Sequence, residues 1–252
     1  MKRFIIFLAI LTASLFATPE CNSLYTGAAA YKAGDFATAV DAWQTCVDNG
    51  YKSGDLYYNL GNAYFREGRL GFSILYYESA LRLDPTNDDY LHNLKYVQTK
   101  TKDKVANADE EENPILTFFF KAHHFLSLKQ QLYAILILIW AIIALCVMRV
   151  LSANPKTKNA LYICVFPVAF LLGLTGISAG YKIYMENTNS KGVVTAKSAD
   201  ITSGPADSYQ TLNMLSEGTE VQVLGVKDGW VHLQLGSQVN GFAKISEVGI
   251  VK

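Results

Sequence analysis

Two long apolar stretches without charged side chains constrain this chain most. Residues 130–148 and residues 159–181 hold no Asp, Glu, Lys or Arg, and about 20 apolar residues suffice for a helix to cross a bilayer. The loop between them, residues 149–158, carries three basic side chains. Since positively charged loops stay in the cytoplasm, the sequence predicts a two-helix transmembrane hairpin whose flanking segments both lie outside.

The start of the chain, residues 1–17, has the order of a secretory signal peptide. Lys2 and Arg3 precede an apolar run and then a group of small residues that ends at Ala17. Cleavage after Ala17 is one interpretation and an uncleaved membrane anchor is the alternative. Either one exports the following segment, so we expect a protein of the bacterial inner membrane with its folded parts in the periplasm.

The four cysteines divide between the exported part and the spans. Cys21 and Cys46 fall in the exported part, whereas Cys146 and Cys164 fall within the two apolar stretches. An oxidising compartment permits disulfides. The sequence therefore allows a bond between Cys21 and Cys46, with two unconnected thiols as the alternative.

A period of 34 residues marks the segment before the first span. Gly27 and Gly61 are 34 residues apart, and so are Trp43 and Tyr77; a period of this length is typical of stacked helical repeats. Residues 57–64 and 77–85 resemble the tetratricopeptide repeat (TPR) signature almost position for position. The resemblance implies an all-α TPR solenoid.

The repeat period also sets the expected boundaries of this solenoid. Residues 18–99 form the TPR domain, with repeats at 20–53 and 54–87 and a capping helix that begins at Asp88. After it come two segments of different composition. Residues 100–114 predict an acidic linker, and residues 115–129 predict an interfacial helix or, as the alternative, an extension of the first span.

Small residues recur every four positions in the second span. Gly176 and Gly180 form a G-x-x-x-G pattern, and Ala169 and Gly173 continue the same step. Small residues at this spacing let two membrane helices approach closely. We expect the first span to be the partner of this face.

Beyond the hairpin the periodicity changes to that of strands. Residues 219–226 and 230–235 alternate apolar and polar side chains around a tight turn at Asp228 and Gly229. This part resembles the bacterial SH3 (SH3b) domain in four motifs, which are residues 203–205, 215–221, 228–231 and 241–243. The resemblance implies a small all-β SH3-like barrel of five or six strands over residues 191–252.

The order of these segments resembles the protein E family of the Bacteroides aerotolerance operon (BatE). Signal peptide, TPR pair, acidic linker, membrane hairpin and SH3b domain cover nearly the whole chain in that order. The expected fold class is therefore a multi-domain membrane protein. The resemblance implies a periplasmic, partner-binding component that acts beside von Willebrand A-domain membrane proteins and a MoxR-type ATPase.

No pattern in the sequence predicts catalysis, a cofactor or a metal site. The four histidines do not stand with Cys, Asp or Glu at zinc-ligand spacings, and nucleotide-binding or hydrolase motifs are absent. Lys plus Arg equals Asp plus Glu at 22 each, so net charge gives no reason to expect nucleic acid as a partner. We expect no enzymatic activity.

Binding residues are carried over from the TPR and SH3b resemblances. In the groove of the TPR solenoid these are Leu24, Ala28, Tyr31, Asp55, Tyr58, Asn62, Phe65, His92 and Tyr96. The basic residues of a carboxylate clamp are missing from this set, which predicts an aromatic groove with few cations. In the barrel an aromatic pocket is expected from Tyr209, Trp230 and Phe242.

Each of these binding sets has a structural alternative. The alternative is that Tyr58 and Phe65 are core residues of the solenoid and that Trp230 is a core residue of the barrel. The predicted function is a membrane-anchored periplasmic scaffold, in an aerotolerance or envelope-stress complex, that binds proteins through the groove and the SH3b domain. The alternative is a cell-wall targeting protein whose SH3b domain binds peptidoglycan.

Overall fold

The computed structural model describes residues 21–102, 126–188, 190–236 and 239–251. The predicted signal peptide lies outside the described residues. So do most of the acidic linker and most of the segment expected to form an interfacial helix. The described part comprises a helical domain, two long apolar helices and a β domain, which agrees with the multi-domain architecture expected from the sequence.

The helical domain contains two helix pairs and a fifth helix. Each pair turns through a glycine in the left-handed region, Gly34 with φ 82° and Gly68 with φ 76°, where other residues would be strained. Gly27 and Gly61 allow close contact within each pair, since an added Cβ would lie 2.4 Å from the Trp43 ring and 2.6 Å from the Tyr77 ring, respectively. The helices are α1 (Ser23–Lys32), α2 (Phe36–Asp48), α3 (Gly54–Arg66), α4 (Leu70–Leu83) and α5 (Asp88–Gln98).

A disulfide bond joins Cys21 to Cys46, with the two Cα atoms 5.6 Å apart. It ties the start of α1 to the buried side of α2, because Cys46 is fully buried. The bond closes a loop with a sequence separation of 25 residues. The free energy it contributes by restricting the unfolded chain is on the order of 3 kcal/mol.

Two helices are long and apolar enough to cross a membrane by length and composition: α6 (Leu128–Leu151) and α7 (Pro155–Thr188). Ser127 and Gln130 form a reciprocal capping box that begins α6. Only residues 152–154 separate the two helices, so the connection is shorter than the loop of residues 149–158 expected from the sequence. The difference arises because the helices continue into the polar residues that follow and precede the uncharged stretches.

The two apolar helices pack through a face that excludes the glycines. Leu172, Thr175 and Ala179 are among the less exposed positions of α7, and Gln131 of α6 donates a hydrogen bond to the Ser178 hydroxyl at 3.1 Å. The expectation that α6 packs against the small-residue face was wrong, because this contact runs along residues three and four apart on another side of α7, as in a coiled coil. An added Cβ meets open space at each of Gly173, Gly176 and Gly180.

The β domain is a seven-stranded antiparallel sheet rather than the five or six strands expected. The additional pairing joins the short last strand to the first. Asp228 (φ 51°) and Gly229 (φ 82°) form the expected two-residue hairpin turn. The strands are β1 (Ser190–Val194), β2 (Ser198–Thr202), β3 (Thr211–Ser216), β4 (Glu220–Lys227), β5 (Trp230–Leu235), β6 (Val239–Lys244) and β7 (Val248–Ile250), in the sheet order β3-β2-β6-β5-β4-β1-β7.

The β domain packs against α4 and α5 of the helical domain, which the sequence did not predict. The buried cluster at this junction joins Val193 and Val251 of the β domain to helical-domain residues, namely Ile74, Leu75, Tyr77, Leu94 and Val97. Backbones approach closely there. An added Cβ on Gly71 would lie 2.3 Å from the Val194 carbonyl oxygen, and one on Gly249 would lie 2.4 Å from the Leu75 side chain.

Polar groups also bridge the two domains. The backbone N–H of Gly71 donates to the Glu217 carboxylate at 2.9 Å, and the Arg82 guanidinium donates to the Val251 carbonyl at 3.0 Å. Two more bridges involve side chains only, an ion pair of Lys191 with Glu78 at 3.1 Å and a hydrogen bond from Gln98 to Glu220. The β domain therefore packs on α4 and on the end of α5, so α5 is not the whole cap.

A single residue separates α7 from the β domain. α7 ends at Thr188 and β1 begins at Ser190. Because β1 also contacts α4, the helical domain is connected to the apolar hairpin by two routes, through the residues that precede α6 and through the β domain.

Candidate partner-binding groove

The predicted groove lies on the face that α1, α3 and α5 share. Polar side chains join α3 to α5 there: Asn93 donates to the Tyr58 hydroxyl at 2.9 Å and to the Asn62 side-chain oxygen at 3.0 Å. The Tyr77 hydroxyl of α4 donates to the same Asn62 oxygen at 2.6 Å. Asn62 therefore holds three helices together, and its amide oxygen is already used within the fold.

Asp55 and Tyr58 also have partners inside the helical domain. The Tyr90 hydroxyl donates to the Asp55 carboxylate at 2.6 Å, and the Tyr58 ring stacks on the Tyr90 ring with centroids 5.0 Å apart. Burial, followed by the Asp55 carboxylate, raises the pKa of Tyr90. The phenol stays protonated and can remain the donor in this pair.

The remaining predicted groove residues divide into packed and open positions. Leu24 and Ala28 pack against the buried core of the domain. Tyr31 and Phe65 are half-buried, whereas His92 is exposed and the Tyr96 side chain is 49% exposed. Among these remaining residues, a ligand entering the groove would meet His92 and Tyr96 first.

Aromatic rings form two contact pairs along the groove, near the carboxyl ends of α1, α3 and α5. The Phe65 and Tyr96 rings lie 5.7 Å apart, edge to face, and the Tyr31 and Phe36 rings lie 5.3 Å apart in the same geometry. Phe36 begins α2 and was not among the predicted residues. These rings form a half-open apolar strip.

Three cations follow this strip, which corrects the expectation of a groove with few cations. Lys32, Arg66 and Lys100 are successively 34 residues apart, each at or just beyond the carboxyl end of a groove helix. The Arg66 guanidinium lies 4.5 Å from the Phe36 ring centroid and the Lys100 ammonium 5.0 Å from the Tyr96 centroid. The same period that identifies the repeats was the signal that could have found them.

The predicted aromatic residues of the β domain are only partly brought together. The strand register pairs Trp230 with Lys244 and His232 with Phe242, so all four share one face of the sheet. The His232 and Phe242 rings stack at 4.5 Å, and the Lys244 ammonium lies 5.9 Å from the Trp230 ring. This face is half-buried, which leaves Trp230 partly open instead of fully in the core.

Tyr209 takes a different position, against the backbone of Gly204. An added Cβ on Gly204 would lie 2.8 Å from the Tyr209 ring, which is itself 51% exposed. The loop that carries Tyr209 is joined to β6 by an ion pair of Asp207 with Lys244 at 2.7 Å. The hydrogen bond and charge of Asp207 raise the pKa of Lys244.

No group of three or more His, Cys, Asp or Glu side chains with the arrangement of a metal site occurs within residues 21–102, 126–188, 190–236 and 239–251. The described surface presents aromatic rings, amides and cations.

Comparison with known proteins supports the helical domain most directly. A family model described as a tetratricopeptide repeat matches residues 26–88. No curated protein matches the chain. Among solved structures, the structure of NlpC2 from Trichomonas vaginalis is 15% identical and covers 25% of this chain and 25% of its own, with a TM-score of 0.23, which is too low to support any argument. Residues 26–88 are thus similar to tetratricopeptide repeats, a type of module that commonly binds protein partners.

Proposed function

We propose that this chain is a membrane-anchored scaffold of the bacterial envelope that binds protein partners through its TPR groove and has no enzymatic activity. The observation that carries the proposal is the contrast between the two faces of the helical domain. The β domain covers the α4 face, whereas the groove face keeps Tyr96, His92 and three cations exposed.

The proposed location is the inner membrane, with the TPR and β domains in the periplasm. Two apolar helices of spanning length support it, as do the basic loop between them and the disulfide, a bond typical of oxidising compartments. The packing of the two domains against each other requires that both lie on the same side of the membrane.

The proposed physiological setting follows the BatE resemblance. The chain would act in an aerotolerance or envelope-stress complex, beside von Willebrand A-domain membrane proteins and a MoxR-type ATPase. Its role would be to hold such partners at the outer face of the membrane, because the β domain begins one residue after α7 and leaves little freedom to move away.

Photo-crosslinking in intact cells tests the groove. A photoreactive aromatic residue replaces His92 on the groove face, and a matched chain carries the same residue at Lys52, in the turn between α2 and α3. The proposal expects specific protein adducts from position 92 that disappear when Phe65→Ala is added, and none of these adducts from position 52. Identical adducts from both positions, or adducts unaffected by Phe65→Ala, would reject it.

The second candidate is targeting to peptidoglycan through the SH3b-like domain. The partly open face of Trp230, His232 and Phe242 favours it, because aromatic rings stack on sugar rings and peptide groups. Purified sacculi incubated with the full chain in detergent test this function, with Phe242→Ala as the variant and Phe65→Ala as the control. Retention of the wild type and of Phe65→Ala, but not of Phe242→Ala, would favour the cell-wall function.

A further inference from the structure

The carboxyl ends of the groove helices carry positive charge that the described residues do not neutralise. Lys32, Arg66 and Lys100 are exposed, and the last two lie over the Phe36 and Tyr96 rings. We call these three cations, with the rings of Tyr31, Phe36, Phe65 and Tyr96, the basic edge of the groove.

The carboxylates nearest in sequence to Lys32 and Arg66 are already used elsewhere. Glu67 pairs with Arg69 at 3.8 Å. The Asp35 carboxylate caps α2 by accepting a hydrogen bond from the Thr38 backbone N–H at 3.1 Å, and the hydrogen bonds from Thr38 lower its pKa. Within the described residues no ion pair includes Lys32, Arg66 or Lys100.

We infer that the basic edge binds an extended acidic segment of a partner protein. This inference rests on the proposed function of the groove and adds the chemistry of the ligand to it. Carboxylates would pair with the cations, and the apolar parts of the segment would lie on the half-open rings between them. Charge-assisted hydrogen bonds are the stronger kind, and a cation that already lies over a ring presents its outer side to a carboxylate.

The spacing of the helices sets the length of the segment. Adjacent packed helices lie about 8–10 Å apart, so three groove helices span roughly 20 Å. An extended chain advances about 3.3–3.6 Å per residue, and about six residues therefore cross all three. An acidic segment of this length with carboxylates at its ends and middle matches the three cations.

Helix dipoles provide a structural reason for the same cations, since positive side chains stabilise the carboxyl ends of helices. That role requires no ligand and predicts only a change in stability. The repeated rings favour binding, because Arg66 and Lys100 both pack over aromatic groups that remain accessible at the groove face.

Peptide binding to the full chain in nanodiscs of zwitterionic lipid tests the inference. The probe is a fluorescent six-residue peptide of four glutamates and two leucines, blocked at both ends, and a matched peptide has glutamine in place of every glutamate. We expect the acidic peptide to bind at least roughly tenfold more tightly, and to weaken as salt screens the charges. Equal binding of the two peptides would overturn the inference.

Two variants locate the effect. Arg66→Gln with Lys100→Gln should reduce acidic-peptide binding by roughly tenfold or more, whereas Lys95→Gln, which removes an exposed charge from the same α5 helix, should not. Loss of thermal stability without loss of binding would show that the cations serve only the helix dipoles, and would overturn the inference.

The crosslinking from His92 separates the two proposals. Adducts lost with Phe65→Ala but kept with Arg66→Gln and Lys100→Gln leave the groove function standing and reject the acidic ligand. Adducts kept both with Phe65→Ala and with the Arg66→Gln, Lys100→Gln double variant reject the groove function itself.

Discussion

The two faces of the helical domain differ in how much of their surface the β domain covers. The face of α4, with the end of α5, is closed by the β domain through buried apolar side chains, close backbone contacts at Gly71 and Gly249, and polar bridges such as Arg82 to Val251. The groove face satisfies its inner polar groups within the chain but leaves its outer rings and cations uncovered.

This difference determines which residues can be substituted to test ligand binding without disturbing the fold. Tyr58 and Asn62 have the positions of ligand contacts in a TPR groove, yet their polar atoms connect α3 to α5 and α4. Substituting them would disturb the helices. Tyr96, Arg66 and Lys100 lie farther out and should change binding with little effect on folding.

Removing the disulfide should have the largest effect, and it should fall on the groove side of the comparison. Cys21→Ser with Cys46→Ser releases α1, at the opposite end of the solenoid from the β domain, and should cost roughly 3.5 kcal/mol of unfolding free energy from the loop closure alone. Denaturant unfolding of the full chain in detergent measures it. The control is Cys146→Ser with Cys164→Ser, two free cysteines of the apolar helices; an equal loss in the control would contradict the assignment.

Adding a side chain at Gly71 should disrupt the packing of the β domain against α4. Gly71→Val places a side chain against the Val194 carbonyl, and overpacking against backbone should cost about 2–3 kcal/mol. Limited proteolysis should then cut the β domain faster than in the wild type. Gly225→Ala, where an added Cβ meets open space, is the control, and equal protease resistance of Gly71→Val and the wild type would refute the contact.

Two groove substitutions should distinguish a residue that stabilises the fold, Asn62, from a residue that is open to a partner, Tyr96. Asn62→Ala leaves the buried Tyr77 hydroxyl without its acceptor and should cost about 1–2 kcal/mol, whereas Tyr96→Ala, at an exposed position, should cost less than about 1 kcal/mol. Thermal unfolding of both variants provides the comparison. If Tyr96→Ala were the more destabilising, the division of the groove into inner and outer residues would be incorrect.

The smallest expected effect is a pH dependence at the covered face. Burial, and then the negative charge of Glu78, raise the pKa of Glu220, which also faces Lys191 and Gln98. A carboxyl with a raised pKa binds its proton more tightly in the folded state, so its contribution to stability falls as pH rises from the unfolded-state value through the folded-state one. Glu220→Gln should remove this dependence, and its melting temperature relative to wild type should rise between pH 5 and pH 7. A constant difference would exclude the effect.

The sequence predicted the features that depend on the repeat period and on local composition. The 34-residue period identified Gly27 and Gly61 as equivalent residues of two helix pairs, and likewise Trp43 and Tyr77, and the turn at Asp228 and Gly229 followed from local conformational preference. These features depend on residues close together in the chain or on repeated positions.

Contacts between distant, non-repeated segments had no such signal. Ile74 and Val193 share one buried cluster at a sequence separation of 119 residues, and neither belongs to a pattern that differs from ordinary core residues. The glycines of α7 gave the opposite error. Their small-residue pattern is present in the sequence and predicted a contact with α6, but α6 packs against another face of α7. Lys32, Arg66 and Lys100 also follow the 34-residue period, but they do not stand at carboxylate-clamp positions, so the predicted groove set did not include them.

In the proposed topology, the TPR and β domains lie together on the outer side of a membrane hairpin. Labelling of single cysteines by a membrane-impermeant maleimide in spheroplasts tests it most directly, with Lys95→Cys in α5, Lys197→Cys in the β domain and Lys156→Cys beside the connection between α6 and α7. With this topology, we expect labelling at positions 95 and 197 without lysis and at position 156 only after lysis. Labelling of 95 and 197 from opposite sides of the membrane would contradict it.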